Sequence, residues 1–129
     1  MSSPKAVGAS SRPFGDEVMF SAPDASVGAG VAMGLIEEVS RAEDVPALRV
    51  GLATGPVLVR EGDVFGRPVN LASRLVAIAH PDSALVDRAS RDALAGDDRF
   101  ECTPVSQRRL KGLGSVRPFR LRSQRGASG

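Results

Sequence analysis

The sequence predicts an α+β domain, a mixed, mostly antiparallel sheet with helices packed on it, and three observations carry that prediction. Short apolar runs of strand length recur at 17–22, 47–54, 56–60, 84–87, 100–105 and 117–121. Two longer stretches, one after Asp24 and one after Pro68, repeat apolar residues at helical spacing. Glycine and proline punctuate the boundaries between them. Read in order the pattern is β-α-β-β-α-β-α-β-β, the mixed arrangement of an α/β or α+β fold. The chain has 129 residues, 42% of them hydrophobic and 25% charged, which suits one soluble globular domain. No internal repeat or second domain is visible.

Residues 1–11 are small and polar, and their composition predicts a disordered segment. Glu17–Ala22 (EVMFSA) reads as a strand entered through the Gly15-Asp16 turn. Ser21-Ala-Pro-Asp24 signals a helix start, and Val27, Val31, Leu35 and Val39 then repeat at i+4, predicting one buried stripe that ends near Arg41. Residues 47–54 alternate as a strand does, Gly55-Pro56 breaks them, and 56–60 form a second strand before a glycine-flanked loop at 61–66. Pro68 stands near a helix start, and the helix runs on through residues 69–79 until His80-Pro81 stops it. A short strand at 84–87, a helix near 88–95 and two strands around 100–105 and 117–121 complete the domain. A Lys111-Gly-Leu-Gly114 loop joins the last pair, and 123–129 reads as a disordered tail.

Composition excludes several function classes. Aromatics make up only 4%, with no Trp or Tyr, so stacking on bases or sugars is not the main business. One Cys and one His allow no internal disulfide and no Cys/His metal site. No apolar run has the length to span a bilayer, and the N-terminus lacks the apolar core of a secretory signal, so a cytoplasmic protein is the default. Charge is uneven. From Val105 onward there are seven basic residues and no acidic ones, whereas the preceding residues carry ten basic and fifteen acidic. That basic end suits phosphates, nucleic acid or an acidic partner, and equally a solvated edge. Nucleic acid is the weakest of these, because stacking aromatics and a recognised motif are both missing.

The helix over 69–79 is the most informative element. At about 100° per residue, Val69, Ala72, Val76 and Ala79 form one apolar stripe and Leu71, Leu75 and Ile78 another. A narrow wedge between them holds Asn70, Ser73, Arg74 and Ala77, with Asn70 and Arg74 one turn apart. Two apolar stripes predict a helix packed on its own core and on a second surface, plausibly a partner subunit. An arginine in such a wedge needs an anion, either a local carboxylate or a ligand.

Four segments in order raise the second alternative. They are Gly15-Asp-Glu-Val-Met-Phe20, Leu48-Arg-Val-Gly-Leu-Ala-Thr-Gly55, Gly62-Asp-Val-Phe-Gly-Arg-Pro-Val-Asn-Leu-Ala-Ser-Arg74 and Leu110-Lys-Gly-Leu-Gly114. Together they resemble the class III adenylyl/guanylyl cyclase catalytic domain over roughly residues 12–122. The third segment is highly specific; the Gly-Asp turn and the Lys-Gly loop are weak alone. The resemblance implies a ferredoxin-like core, conversion of ATP to cAMP and pyrophosphate, and a site shared between two subunits, in a homodimer or a heterodimer with another cyclase subunit.

By the same resemblance Asp16 matches one of two aspartates that bind Mg²⁺ or Mn²⁺. Asp63 matches the residue that reads the purine, where a carboxylate accepts from the adenine 6-amino group and faces the guanine oxygen acceptor to acceptor. Asn70 matches the residue orienting the ribose, Arg74 the one stabilising charge on the α-phosphate, and Lys111 the phosphate-binding lysine. Read singly, Asp16 is an ordinary turn residue, Asp63 a loop cap and Lys111 a solvated lysine.

Two departures follow. The family's first metal aspartate lies in an N-terminal F-x-D-x-x-G-F-T-like strand, and residues 1–11 contain no such stretch. Arg12 stands where the family carries a purine-binding lysine, and its planar fork differs from a lysine ammonium. In the resembled fold the first strand lies between those matching EVMFSA and LRVGLAT. Without it, backbone groups on two inner edges go unpaired, at ~1–3 kcal/mol for each one buried. The edges can close on each other, recruit residues 1–12, or borrow a strand from a partner. The chain is thus expected to have little or no cyclase activity alone; the alternative is a non-catalytic dimerisation or regulatory module pairing with a complete cyclase.

Overall fold

A computed structural model of the chain describes residues 3–11, 17–44 and 46–124. Arg12 and Asp16 lie outside the described residues, as do residues 125–129 of the predicted tail.

The predicted gap in the sheet is filled from within the chain. Ser3–Ser11 form strand β1, which pairs antiparallel on one side with β2 (Glu17–Ala22) and on the other with β3 (Arg49–Arg60). This corrects the disorder predicted for the segment as far as residues 3–11 are concerned; the first two residues lie outside the described ones. Composition measures what a segment does alone; here two inner strand edges offer it a ladder on both sides. Its small residues suit the slot. Ala6 and Val7 are fully buried on opposite faces of the sheet, and a Cβ on Gly8 would run into the Phe20 ring on β2.

The strand order is β2-β1-β3-β5-β9-β6. It includes β5 (Ser83–Val86), β6 (Phe100–Pro104) and β9 (Phe119–Ser123). Only β3 and β5 run parallel among these neighbours. The fold is therefore the predicted mixed, mostly antiparallel sheet. The Gly55-Pro56 break does not occur. β3 continues through both residues, because Pro56 lies beyond Leu52, the last residue paired with β5, where a missing N–H interrupts no ladder on that side. The loop predicted at 61–66 is a hairpin turn followed by a strand. Glu61 and Gly62 take φ of 53° and 85°, and β4 (Asp63–Phe65) returns along residues 58–60 of β3.

Helices cover both faces. α1 (Ala25–Arg41), capped by the Asp24 side chain on the Val27 N–H, lies over Leu48, Val50, Leu52, Ala84, Val86, Phe119 and Leu121. Its predicted buried stripe is wrong: Val27, Val31 and Leu35 are 46%, 41% and 40% exposed. Ala25, Gly28, Ala29 and Ala32 face the sheet instead. The helix approaches so closely that a Cβ on Gly28 would lie 2.9 Å from Leu52 and 3.1 Å from Ala6, a spacing only small residues permit.

α2 (Arg67–Ile78) covers the opposite face with one broad apolar side: Leu71, Ala72, Leu75 and Val76 are buried, together with Val7, Ala9, Ala53 and Leu85. Both predicted stripes thus enter the chain's own core, and the Leu71/Leu75/Ile78 stripe is not kept for a partner. The two stripes are neighbours around the helix, and the sheet is wide enough to take both. α3 (Arg88–Ala93) follows β5, capped by Asp87. A hairpin that the sequence reading took as a plain loop, β7 (Arg108–Leu110) and β8 (Gly114–Val116), packs Leu110, Leu113 and Val116 on the α2 side. No helix among the described residues is long and apolar enough to cross a membrane.

Candidate functional site

α2 is seated on β3 at Gly51, where a methyl group would lie 2.3 Å from the Ala72 carbonyl oxygen. Burial of the Leu71–Leu75 side leaves the other side of α2 in solvent, and Asn70, Arg74 and Ala77 are exposed on it. The wedge predicted as mostly buried is therefore an open face. The β7–β8 hairpin lies beside it, with Lys111 in the turn between Leu110 and Gly114.

These pieces enclose a cavity of about 480 Å³ lined by Asn70, Ser73, Arg74, Lys111 and the Gly112-Leu113 backbone corner, with Glu17 closing it from the first residue of β2. Three of the residues singled out in the sequence, Asn70, Arg74 and Lys111, thus share one cavity within a single chain. Among the described residues neither Arg74 nor Lys111 has an ion-pair partner. Both are available to an anion.

Glu17 was not singled out in the sequence. Ser73 Oγ, between Asn70 and Arg74 on α2, donates to Glu17 Oε1 at 2.7 Å, tying the start of β2 to the helix that carries the site. The available signal was its place next to Gly15-Asp16. The contact also puts a carboxylate in the cavity, where it opposes a bound phosphate and attracts Arg74 and Lys111.

Asp63 stands elsewhere, on the exposed β3–β4 hairpin opposite Arg60, and does not line the cavity. Arg12 and Asp16 are outside the described residues. Among the described residues no group of three His, Cys, Asp or Glu side chains could hold a metal ion. With Glu17 engaged by Ser73, the described residues do not fit a two-metal site, and no chemical step is assigned to a metal here.

What the cavity offers is therefore an amide, a guanidinium and an ammonium converging on one volume. That set has the donors to hydrogen-bond a hydroxyl group and the charge to neutralise an anion.

The comparisons with known proteins point the same way. Residues 23–123 match the family described as the Adenylate and Guanylate cyclase catalytic domain. The chain is 40% identical over 142 residues to an adenylate cyclase of Streptomyces coelicolor, covering 90% of this chain and 37% of that protein. It is 42% identical over 120 residues to a pH-sensitive adenylate cyclase of Mycobacterium tuberculosis, covering 89% and 30%. The chain thus spans well under half the length of these relatives.

Among solved structures, the guanylate cyclase domain of RhGC from Catenaria anguillulae superposes with a TM-score of 0.83 at 17% identity, over 95% of this chain and 97% of that one. The adenylyl cyclase CyaB from P. aeruginosa gives 0.71 at 18% identity, over the whole of both. Those two likenesses establish the fold, and the sequence match establishes descent: the chain belongs to the adenylate and guanylate cyclase catalytic domain family.

Proposed function

We infer that this chain supplies the ribose- and phosphate-contacting half of an adenylate cyclase site, which closes ATP to cAMP and releases pyrophosphate across a subunit boundary. The single observation behind the reading is the cavity shared by Asn70, Arg74 and Lys111. Its wall has the donors for the reaction, and a second subunit supplies the complementary half. Apolar side chains left exposed on the β3–β4 hairpin, Leu58, Val59 and Phe65, give such a partner a surface.

In the reaction the ribose 3′-hydroxyl gives up its proton to solvent, its oxygen attacks the α-phosphorus, and the bond from that phosphorus to the oxygen shared with the β-phosphate breaks, releasing pyrophosphate. The amide of Asn70 holds the ribose so that the 3′-oxygen stands in line with that leaving group. The Arg74 guanidinium donates to the α-phosphate oxygens, where negative charge changes most. Lys111 meets the outer phosphates as a mobile point charge and follows the pyrophosphate as it departs. The backbones of α2 and of the β7–β8 turn hold these groups around one cavity before substrate arrives, and the long side chains of Arg74 and Lys111 close on the phosphates as they bind. Asp63, off the cavity on its hairpin, reads the 6-amino group of an adenine that extends out of the phosphate site toward the partner.

The test is complementation. The full chain is mixed with a cyclase subunit that keeps its metal carboxylates but has lost its own arginine and asparagine. Rescue of cAMP synthesis, lost again with Arg74→Ala in this chain, is the expected result; tight association without rescue refutes it and leaves the non-catalytic dimerisation or regulatory role. Alone, with Mn²⁺ and ATP, the chain is expected to make little or no cAMP. Robust turnover by the isolated chain would refute that expectation.

A further inference from the structure

β3 and β5 run parallel only as far as Leu52 and Val86, and their connections then leave toward opposite faces of the sheet. The β3 side leads into α2 and its core, whereas β5 leads into α3, whose following residue Leu94 packs in the core under α1. Neighbouring parallel strands that part in this way open a crevice at their carboxyl ends, the place where open α/β sheets take ligands. Here the crevice is a cavity of about 940 Å³, the size of a small-molecule site. It shares no lining residue with the cavity of Arg74 and Lys111.

Its walls carry four guanidiniums from three separate segments: Arg67 at the start of α2, Arg88 and Arg91 on α3, and Arg117 before β9. One carboxylate faces them, Asp87, and its Oδ1 is taken up by the backbone N–H groups of Ser90 at 2.9 Å and Thr54 at 3.3 Å. Among the described residues Arg67 and Arg88 have no ion-pair partner. Arg117 gives only one Nη1 contact, to the Val105 carbonyl at 3.4 Å.

Arg91 lies over the Phe119 ring, its Cζ 4.7 Å from the centroid. Its Nε is 3.1 Å from Asp92 Oδ1, yet it is not aligned for a hydrogen bond and is buried without one. Asp92 pairs with Arg91 and Asp87 is the one carboxylate on the wall, so four guanidiniums still leave the hollow a positive excess, and such a cleft concentrates anions. Guanidinium forks fit phosphate oxygens two at a time.

We propose that this crevice is a second binding site, for a small phosphorylated polyanion, distinct from the Asn70/Arg74/Lys111 cavity. The basic excess of the C-terminal segment, to which Arg117 belongs, then has a specific use in place of general surface solvation.

Tripolyphosphate is the probe, and calorimetric titration of the full chain the measurement. The Arg74→Ala/Lys111→Ala chain, whose other cavity is disabled, is expected to retain tripolyphosphate binding at this site. Adding Arg88→Glu and Arg117→Glu is expected to weaken that binding roughly tenfold or more. Arg88→Gln with Arg117→Gln, which keeps polarity and disturbs folding less, is expected to weaken it by an intermediate factor and decides the matter if the glutamate variant fails to fold. Absence of binding by the Arg74→Ala/Lys111→Ala chain overturns the proposal, as does an affinity unchanged within about twofold on charge reversal. Failure of cyclase complementation leaves this result untouched, so the two readings fail separately.

Discussion

Gly51 is the position where the fold and the site are most tightly coupled, and Gly51→Ala tests that coupling. The residue sits in the centre of β3, between Ala9 of β1 and Leu85 of β5, with α2 directly above it. An added Cβ would lie 2.3 Å from the Ala72 carbonyl oxygen, 2.8 Å from Leu75 Cβ and 2.9 Å from the Val76 nitrogen. A carbon and a carbonyl oxygen without a conventional hydrogen bond stay ~3.3 Å apart or more, so the helix must withdraw by about 1 Å.

Two of the three obstructing atoms are backbone, so no rotamer change relieves the clash. Overpacking of this kind costs about 1–3 kcal/mol. Alanine recovers roughly 0.5–1 kcal/mol of that by stiffening the unfolded chain relative to glycine. The two ranges leave a net loss of about 0–2.5 kcal/mol, centred near 1 kcal/mol, which lowers the melting temperature by roughly 3–6 °C at that centre for a chain of this size. Urea unfolding followed by circular dichroism measures it. The same displacement moves Asn70 and Arg74 relative to Lys111, so tripolyphosphate binding in their cavity should weaken as well. An unfolding midpoint equal to that of the parent chain would mean that α2 does not rest on β3 in the way described.

Three further outcomes are expected. Gly30 and Gly34 lie on the exposed side of α1 with nothing within 4 Å of an added Cβ, so Gly30→Ala and Gly34→Ala should each raise stability by about 0.5–1 kcal/mol in urea titrations; destabilisation would mean that this face is packed. Burial pushes the Asp87 carboxyl above the usual carboxylate range, with hydrogen bonds from Ser90 and Thr54 opposing the shift. The folded chain therefore holds that proton more tightly than the unfolded one, and this contribution to stability is fully present below the ordinary carboxylate pKa and lost as pH rises through the raised value. Asp87→Asn keeps an N-cap without the charge, so its unfolding midpoint should gain on the parent's as pH rises through that window, and parallel curves would refute the assignment. Glu17→Gln removes the one carboxylate from the Arg74/Lys111 cavity and should tighten tripolyphosphate binding there about two- to tenfold by calorimetry; weaker binding would mean that Glu17 helps to hold the ligand.

The sequence was most legible where local chemistry decides. Asp24 before α1, Pro68 in the first turn of α2 and the apolar positions of β3 each announce their element, because caps, proline and alternation act over a few residues. The Asn70/Arg74 pair was legible for the same reason, since helical spacing alone puts both on one patch. Its surroundings were not. Which of the apolar sides of α1 faces the sheet depends on how closely two backbones approach, and the row of Ala25, Gly28, Ala29 and Ala32 that permits the approach carries a weaker hydrophobic signal than Val27, Val31 and Leu35. The entry of Lys111 into the α2 cavity needed a hairpin, β7–β8, whose three-residue strands are too short to read by period. The arginine crevice joins residues from positions 67 to 117 and has no trace in any local window.

Strand β1 shows how a segment with little signal of its own can set the geometry of a site. Nothing in SPKAVGASS resembles a strand with a strong preference, yet it lies between two strands that would otherwise expose their inner edges. Each ladder it completes saves backbone donors and acceptors from going unpaired, and nine residues paired with β3, six of them paired with β2 as well, outweigh a poor intrinsic propensity. The consequence reaches the chemistry, because β2 joins the sheet through β1, and it is the first residue of β2, Glu17, that meets Ser73 on the helix bearing Asn70 and Arg74. A chain that filled the central slot with a different strand would hold β2 elsewhere, and the carboxylate that now shares the cavity with Arg74 and Lys111 would leave with it. The charge balance of the cavity of Asn70, Arg74 and Lys111 is thus coupled, through one hydrogen bond, to which segment occupies the middle of the sheet.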